Sequence, residues 1–154
     1  MLVVVSKILE IGSILISLYL ILLSYFDIRQ KKVSIKMLGM GMIFISLLSI
    51  LGLLYREMDG LLALFGLVVG IGFLIFSKLS REAFGYGDSI LILMLGVYLG
   101  FWQIMYVLLF AFLLSALFSI GFMIWKGISK KVSIPFIPFL AISYMVLYFW
   151  EVIH

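Results

Sequence analysis

Long apolar runs separated by short polar gaps dominate the chain. A helix needs about 20 mostly apolar residues to cross a hydrocarbon core of about 30 Å. Runs of that kind extend from about Val3 to Phe26, broken only by Lys7 and Glu10, from Ile35 to Tyr55, and from Gly60 to about Ser77. Ser89 to Trp125 then offers 37 residues without a charge. As one helix it would reach about 55 Å at 1.5 Å per residue, nearly twice the membrane core. It therefore divides into two helices, most simply hinged near Gly100-Phe101-Trp102. With a last run from about Phe136 to Ile153, the pattern predicts an all-α integral membrane protein of six transmembrane helices. No gap is long enough to fold separately, so residues 1–154 read as a single membrane domain.

Composition agrees with this reading. Of the 154 residues 66% are hydrophobic and 12% charged, against roughly 45–50% apolar in a soluble domain. A soluble fold of this length could not hide so much apolar surface, so the solvent is lipid. The formal charge of +4 does not point to nucleic acid, because the basic residues sit in the gaps, where they report orientation. Arg29, Lys31, Lys32 and Lys36 follow the first span, Lys78 and Arg81 the third, and Lys126, Lys130 and Lys131 the fifth. Nine of the eleven basic residues thus fall in alternate gaps, which predicts those gaps in the cytoplasm and both the N-terminus and the C-terminus outside. No basic segment precedes the first apolar residues and no small-x-small site follows them, so a cleavable signal peptide is not expected.

On this map Asp27 ends the first span and Asp88 opens the fourth, both at the cytoplasmic face. Each has an ordinary explanation. Asp27 could pair with Arg29 or a loop lysine at the interface, and Asp88 could cap its helix, where Asp and negative charge are favoured. Together on one face they suggest more, since ionisable groups in or beside membrane spans are functional candidates by default. Two close carboxylates in a low dielectric resist double ionisation. One stays charged and can take a proton from water, while the other stays protonated and can polarise a carbonyl.

Other chemistries are poorly supplied. Cysteine, Thr and Asn are absent, and the one histidine, His154, stands at the external end. Thiol nucleophiles, a Ser–His arrangement and a His or Cys metal site therefore find no residues at the cytoplasmic face. Ser–Lys pairs can be drawn from Ser34 and Lys36 or from Ser77 and Lys78, but those lysines already serve orientation. No metal and no cofactor is expected. Gly85 and Gly87, flanking Tyr86 just before Asp88, would allow positive φ and a close approach of substrate backbone.

The stretch "GYGD" at Gly85–Asp88, leading into a leucine-rich helix with "LGVYLG", resembles the GxGD motif of the type IV prepilin peptidases. Asp27, Arg29 and Val33 resemble that family's first aspartate element, and "IPFIPFLA" at Ile134–Ala141, with Pro135 and Pro138, resembles a third element. Departures are Ser34 and Ile35 in place of Pro-Asn, Ile90 in place of a lysine, and Ile137 in place of a glycine between the prolines. The resemblance covers about Ser24 to Ala141.

It implies an aspartyl endopeptidase of the bacterial cytoplasmic membrane that cuts the basic leader of a prepilin or pseudopilin substrate helix reaching it from membrane lipid. Asp27 and Asp88 would be catalytic, Gly85 and Gly87 the active-site loop, and Arg29, Pro135 and Pro138 support for the substrate site. With no cysteine and a short first gap, it points to compact, peptidase-only members, such as those of Tad-type pili, without methyltransferase activity. Alternatives are a presenilin-like protease of the same chemistry, against which "IPFIPFLA" argues, and a small transporter or assembly subunit using the aspartates for ion binding or packing. A transporter would place ionisable groups near mid-bilayer, where this chain has no charge; Gln103 is the most polar side chain within its later spans.

Overall fold

The computed structural model describes residues 2–30, 34–55, 57–80, 85–126 and 135–153. Lys31, Lys32, Val33, Arg56, Arg81, Glu82, Lys130, Lys131, Ile134 and His154 lie outside the described residues. Six helices are described: α1 (Leu2–Gln30), α2 (Ile35–Leu54), α3 (Gly60–Leu79), α4 (Tyr86–Leu99), α5 (Phe101–Lys126) and α6 (Ile137–Ile153). The chain is an all-α, multi-span membrane bundle. Four of the helices, α1, α2, α3 and α5, are long and apolar enough to cross a bilayer unaided.

The uncharged run does divide at Gly100. That residue has φ 80° and ψ −179°, a conformation that carries little penalty only for glycine. Its N–H closes the last turn of α4 on the Gly96 carbonyl, and its own carbonyl accepts from Ile104 to start α5. At the start of α3, Asp59 caps the helix by accepting from the Leu61 N–H at 2.9 Å.

The shortest helix is also the most enclosed. With 14 residues α4 is about 21 Å long, less than the hydrocarbon core. It packs against α2, α3 and α5, and Leu91, Ile92 and Leu95 are fully buried. A helix walled by protein has no lipid thickness to match, so its length is free to be set by its neighbours. Around it, α1 packs on α2 and α6, and α6 on α5. Side chains such as Ile14, Leu18, Ile21, Leu64, Val68 and Leu113 point outward, as lipid-facing positions should.

Between membrane helices there is little hydrophobic drive, so close van der Waals contact and small residues decide association. Here glycines decide it. A Cβ on Gly66 would collide with the Gly96 carbonyl, one on Gly96 with the Gly66 carbonyl, and one on Gly70 with Leu93. The α3–α4 crossing is therefore backbone against backbone. Gly41 makes room for the ring of Tyr19, whose hydroxyl donates to the Met37 carbonyl at 2.9 Å and ties α1 to α2. Gly39 and Gly72 have open space where a Cβ would go.

The two classes of glycine should respond with opposite signs. Gly66→Val should lower the detergent melting midpoint and the amount of protein in the membrane, since overpacking alone costs about 1–3 kcal/mol and here the obstacle is backbone. Gly72→Ala should leave accumulation unchanged or raise the midpoint slightly, because Ala is better than Gly inside a helix by about 0.5–1 kcal/mol. Thermal unfolding of the purified variants checks both.

Candidate active site

On α1 the inward stripe runs through Ile16, Leu20 and Leu23, each fully buried, then Ser24 and Asp27. The spacing of three and four residues keeps these side chains on one face. Asp27 is thus the continuation of a core stripe, and it is 8% exposed. On α4, Asp88 is in helical register with Leu91, Ile92 and Leu95 of the buried helix.

A hydrogen bond between the hydroxyls of Ser13 and Tyr98, at 2.7 Å, ties α1 to α4 at one level. Counting from it, Asp27 lies 14 residues along α1, about 21 Å, and Asp88 lies 10 residues back along α4, about 15 Å. The helices run in opposite senses, so both offsets point toward the same end of the bundle. There the two carboxylates stand within electrostatic reach of one another.

Each carboxylate also meets the start of a helix. Oδ2 of Asp27 accepts from the Ile137 N–H at 3.3 Å, in the first turn of α6, 110 residues away in sequence. Asp88 is in the first turn of α4. Asp27, in the last turn of α1, thus faces the N-terminal turn of α6, and Asp88 lies in the N-terminal turn of its own helix, the end where negative charge is favoured.

Several sequence expectations change. Asp88 is not the cap of α4; Gly85 occupies that position, and Asp88 is the third residue of the helix. Neither motif glycine has positive φ: Gly85 is extended at φ −56°, ψ 128°, and Gly87 is helical. A Cβ on Gly85 would stand 2.8 Å from Oδ2 of Asp88, so a side chain there would displace the end of that carboxylate. A Cβ on Gly87 would meet only Leu38 Cδ1, at 3.4 Å.

Arg29 does not pair with Asp27. Two residues on, it faces the other side of α1, where it is exposed and donates to the Tyr25 hydroxyl at 2.7 Å, with its guanidinium 5.7 Å from that ring. Pro135 precedes α6 and Pro138 lies in its first turn, on either side of the Ile137 donor. Sequence reasoning passed over Ile137 because its contribution is a backbone amide; its place between the prolines was the available signal. It also passed over Ser89, whose hydroxyl donates to the Phe73 carbonyl at 3.2 Å and holds the start of α4 against α3.

At the opposite end a cavity of about 230 Å³ is lined in part by Glu57, Asp59, Tyr98 and Gln103. It lies away from both aspartates. Among the described residues no group of three His, Cys, Asp or Glu side chains could hold a metal ion.

A model of the type IV leader peptidase family matches residues 14–120, a stretch that includes Asp27 and Gly85–Asp88. The chain belongs to the type IV leader peptidase family. It is 31% identical over 145 residues to the prepilin leader peptidase/N-methyltransferase of Xanthomonas campestris pv. campestris, covering 90% of this chain and 50% of that protein. The proteins of the same name from Aeromonas salmonicida and Aeromonas hydrophila are 33% and 32% identical over 109 residues, 64% of this chain and 38% of each. The chain thus spans half or less of the length of these curated relatives. No solved structure matches it.

The meeting of the two carboxylates in this family member is testable without any assay of activity, because the chain has no cysteine to remove. In the Asp27→Cys, Asp88→Cys double variant, a short bifunctional thiol reagent should link the two positions, detected as a joined peptide by mass spectrometry. The Arg29→Cys, Asp88→Cys pair should not be linked. A result the other way round would overturn the arrangement.

Proposed function

We propose that this chain is a membrane-embedded aspartic endopeptidase that cleaves the leader of type IV prepilin-like substrates at the cytoplasmic face of the bacterial cytoplasmic membrane. One observation carries the reading: in a member of this family, Asp27 and Asp88 stand within electrostatic reach at one end of the bundle, Asp27 against the first turn of α6 and Asp88 in the first turn of α4. In the proposed reaction the charged carboxylate takes a proton from water as its oxygen attacks the scissile carbonyl. The protonated carboxylate donates to the carbonyl oxygen, and the tetrahedral intermediate breaks as the leaving amine is protonated. The pair shares one proton before the attack, and no covalent intermediate forms.

The bond to be cut lies where a basic leader meets the substrate's apolar helix. A water-activating pair at the edge of the bilayer suits that boundary. Six spans with both termini outside fit the same picture: Arg29, Lys36, Lys78 and Lys126 fall at the α1, α2, α3 and α5 ends that an up-and-down bundle gathers beside the aspartates. At 17 residues α6 is about 26 Å long and, like α4, needs protein neighbours or a thinned bilayer to complete its crossing. The absence of cysteine, and the four residues 31–34 that separate α1 from α2, support a compact, peptidase-only type such as those of Tad-type pili, without N-methyltransferase activity.

Co-expression with a candidate prepilin, scored by substrate size on a gel, tests the reading. Asp27→Asn and Asp88→Asn should each lower cleavage by about a hundredfold or more while the protein still accumulates in the membrane. Normal cleavage by either would remove the two-aspartate mechanism, and a loss in chelator that zinc restores would contradict it as well. Gly85→Ala should cost roughly tenfold to a hundredfold by displacing the Asp88 carboxylate, whereas Gly87→Ala should retain most activity.

A further inference from the structure

The start of α6 presents a backbone donor to Asp27. A helix start normally leaves its first four N–H groups without partners in the helix. Here Pro138 has no N–H, and the N–H groups of Phe139 and Leu140 both go to the Phe136 carbonyl, at 3.1 and 3.2 Å. From Ile137 to Leu140, the Ile137 amide is the donor left over, and it points to Oδ2 of Asp27. Its position is tightly held: Ile137 and Leu140 are fully buried, the ring of Phe136 lies 5.1 Å from that of Phe112, and Phe139 lies 5.5 Å from Phe118. The aromatic contacts anchor this turn to α5.

We propose that the Ile137 amide is a positioning group that sets the division of labour in the pair. By binding Oδ2 it leaves Oδ1 of Asp27 for the attacking water. Because a donated hydrogen bond favours the charged form of a carboxylate, it makes Asp27 the member that accepts the proton from water. Asp88 then keeps the shared proton and polarises the carbonyl. Pro138 serves this arrangement because, lacking an N–H, it cannot compete with Ile137 for Asp27. The inference rests on the aspartyl peptidase reading above.

Replacing Ile137 by its α-hydroxy acid counterpart turns the amide N–H into an ester oxygen and leaves every side chain in place. In the full-length protein in nanodiscs, cleavage of a prepilin should fall roughly tenfold to a hundredfold, the effect of removing one hydrogen bond from a charged group. The loss should appear in kcat rather than KM, and the acidic limb of the pH–rate profile should move to higher pH. A profile superimposable on that of the unmodified protein would overturn the assignment. If the ester protein does not accumulate, Phe112→Leu decides, because it loosens Phe136 without touching either aspartate. A shift of the acidic limb in the same direction supports the assignment, and an unmoved limb overturns it. Asp27→Asn measured in parallel separates the two layers. If it still cleaves, the peptidase reading itself falls; if it is inactive while the ester protein behaves normally, only the role of Ile137 falls.

Discussion

A carboxylate on the inward face of a membrane helix must be answered by a donor or a positive field, because lipid supplies neither. In this protein the answer to Asp27 comes from the first turn of α6, where the Ile137 N–H reaches Oδ2. That contact joins α1 to α6 and gives the acid, at the C-terminal end of its own helix, a donor from the N-terminal end of another. The rest of the site follows from it. Asp88 needs only to be brought to the same end of the bundle for two acids to influence each other in a poorly solvated place.

Bringing Asp88 there is the task of α4, and α4 is held by contacts that use almost no side chain. Gly66 and Gly96 let two backbones touch, Gly70 admits Leu93, and Ser89 fastens the first turn to the Phe73 carbonyl. In lipid such contacts matter more than greasy surface, which any neighbour or any acyl chain would satisfy equally well. The hydroxyl pair of Ser13 and Tyr98 then fixes α4 against α1 at the far end. The site is a lever arm of two antiparallel helices, pinned at one end and loaded with acids at the other.

Much of the fold was legible along the chain. The apolar runs gave helix positions within a few residues, and the 37-residue uncharged run had to break near Gly100 for reasons of length alone. The aspartates could be singled out because acids are costly beside so much apolar sequence. What was misjudged is instructive. Gly85 suggested unusual backbone angles but is extended, and a side chain there would crowd the Asp88 carboxylate. Arg29, two residues from Asp27, suggested a partner but faces Tyr25 on the opposite side of the helix.

By itself, then, the sequence determined what is one-dimensional: which segments are helical, that their solvent is lipid, and which residue types stand at the ends. These follow from hydropathy and length, which are summed along the chain. Only the tertiary structure decided which glycines are contact points and which face open space, and that a backbone amide between two prolines is the partner of Asp27. Those outcomes depend on how helices are rotated about their axes and on a main-chain donor. Every residue but proline carries that donor, so no side-chain pattern can mark which one is used.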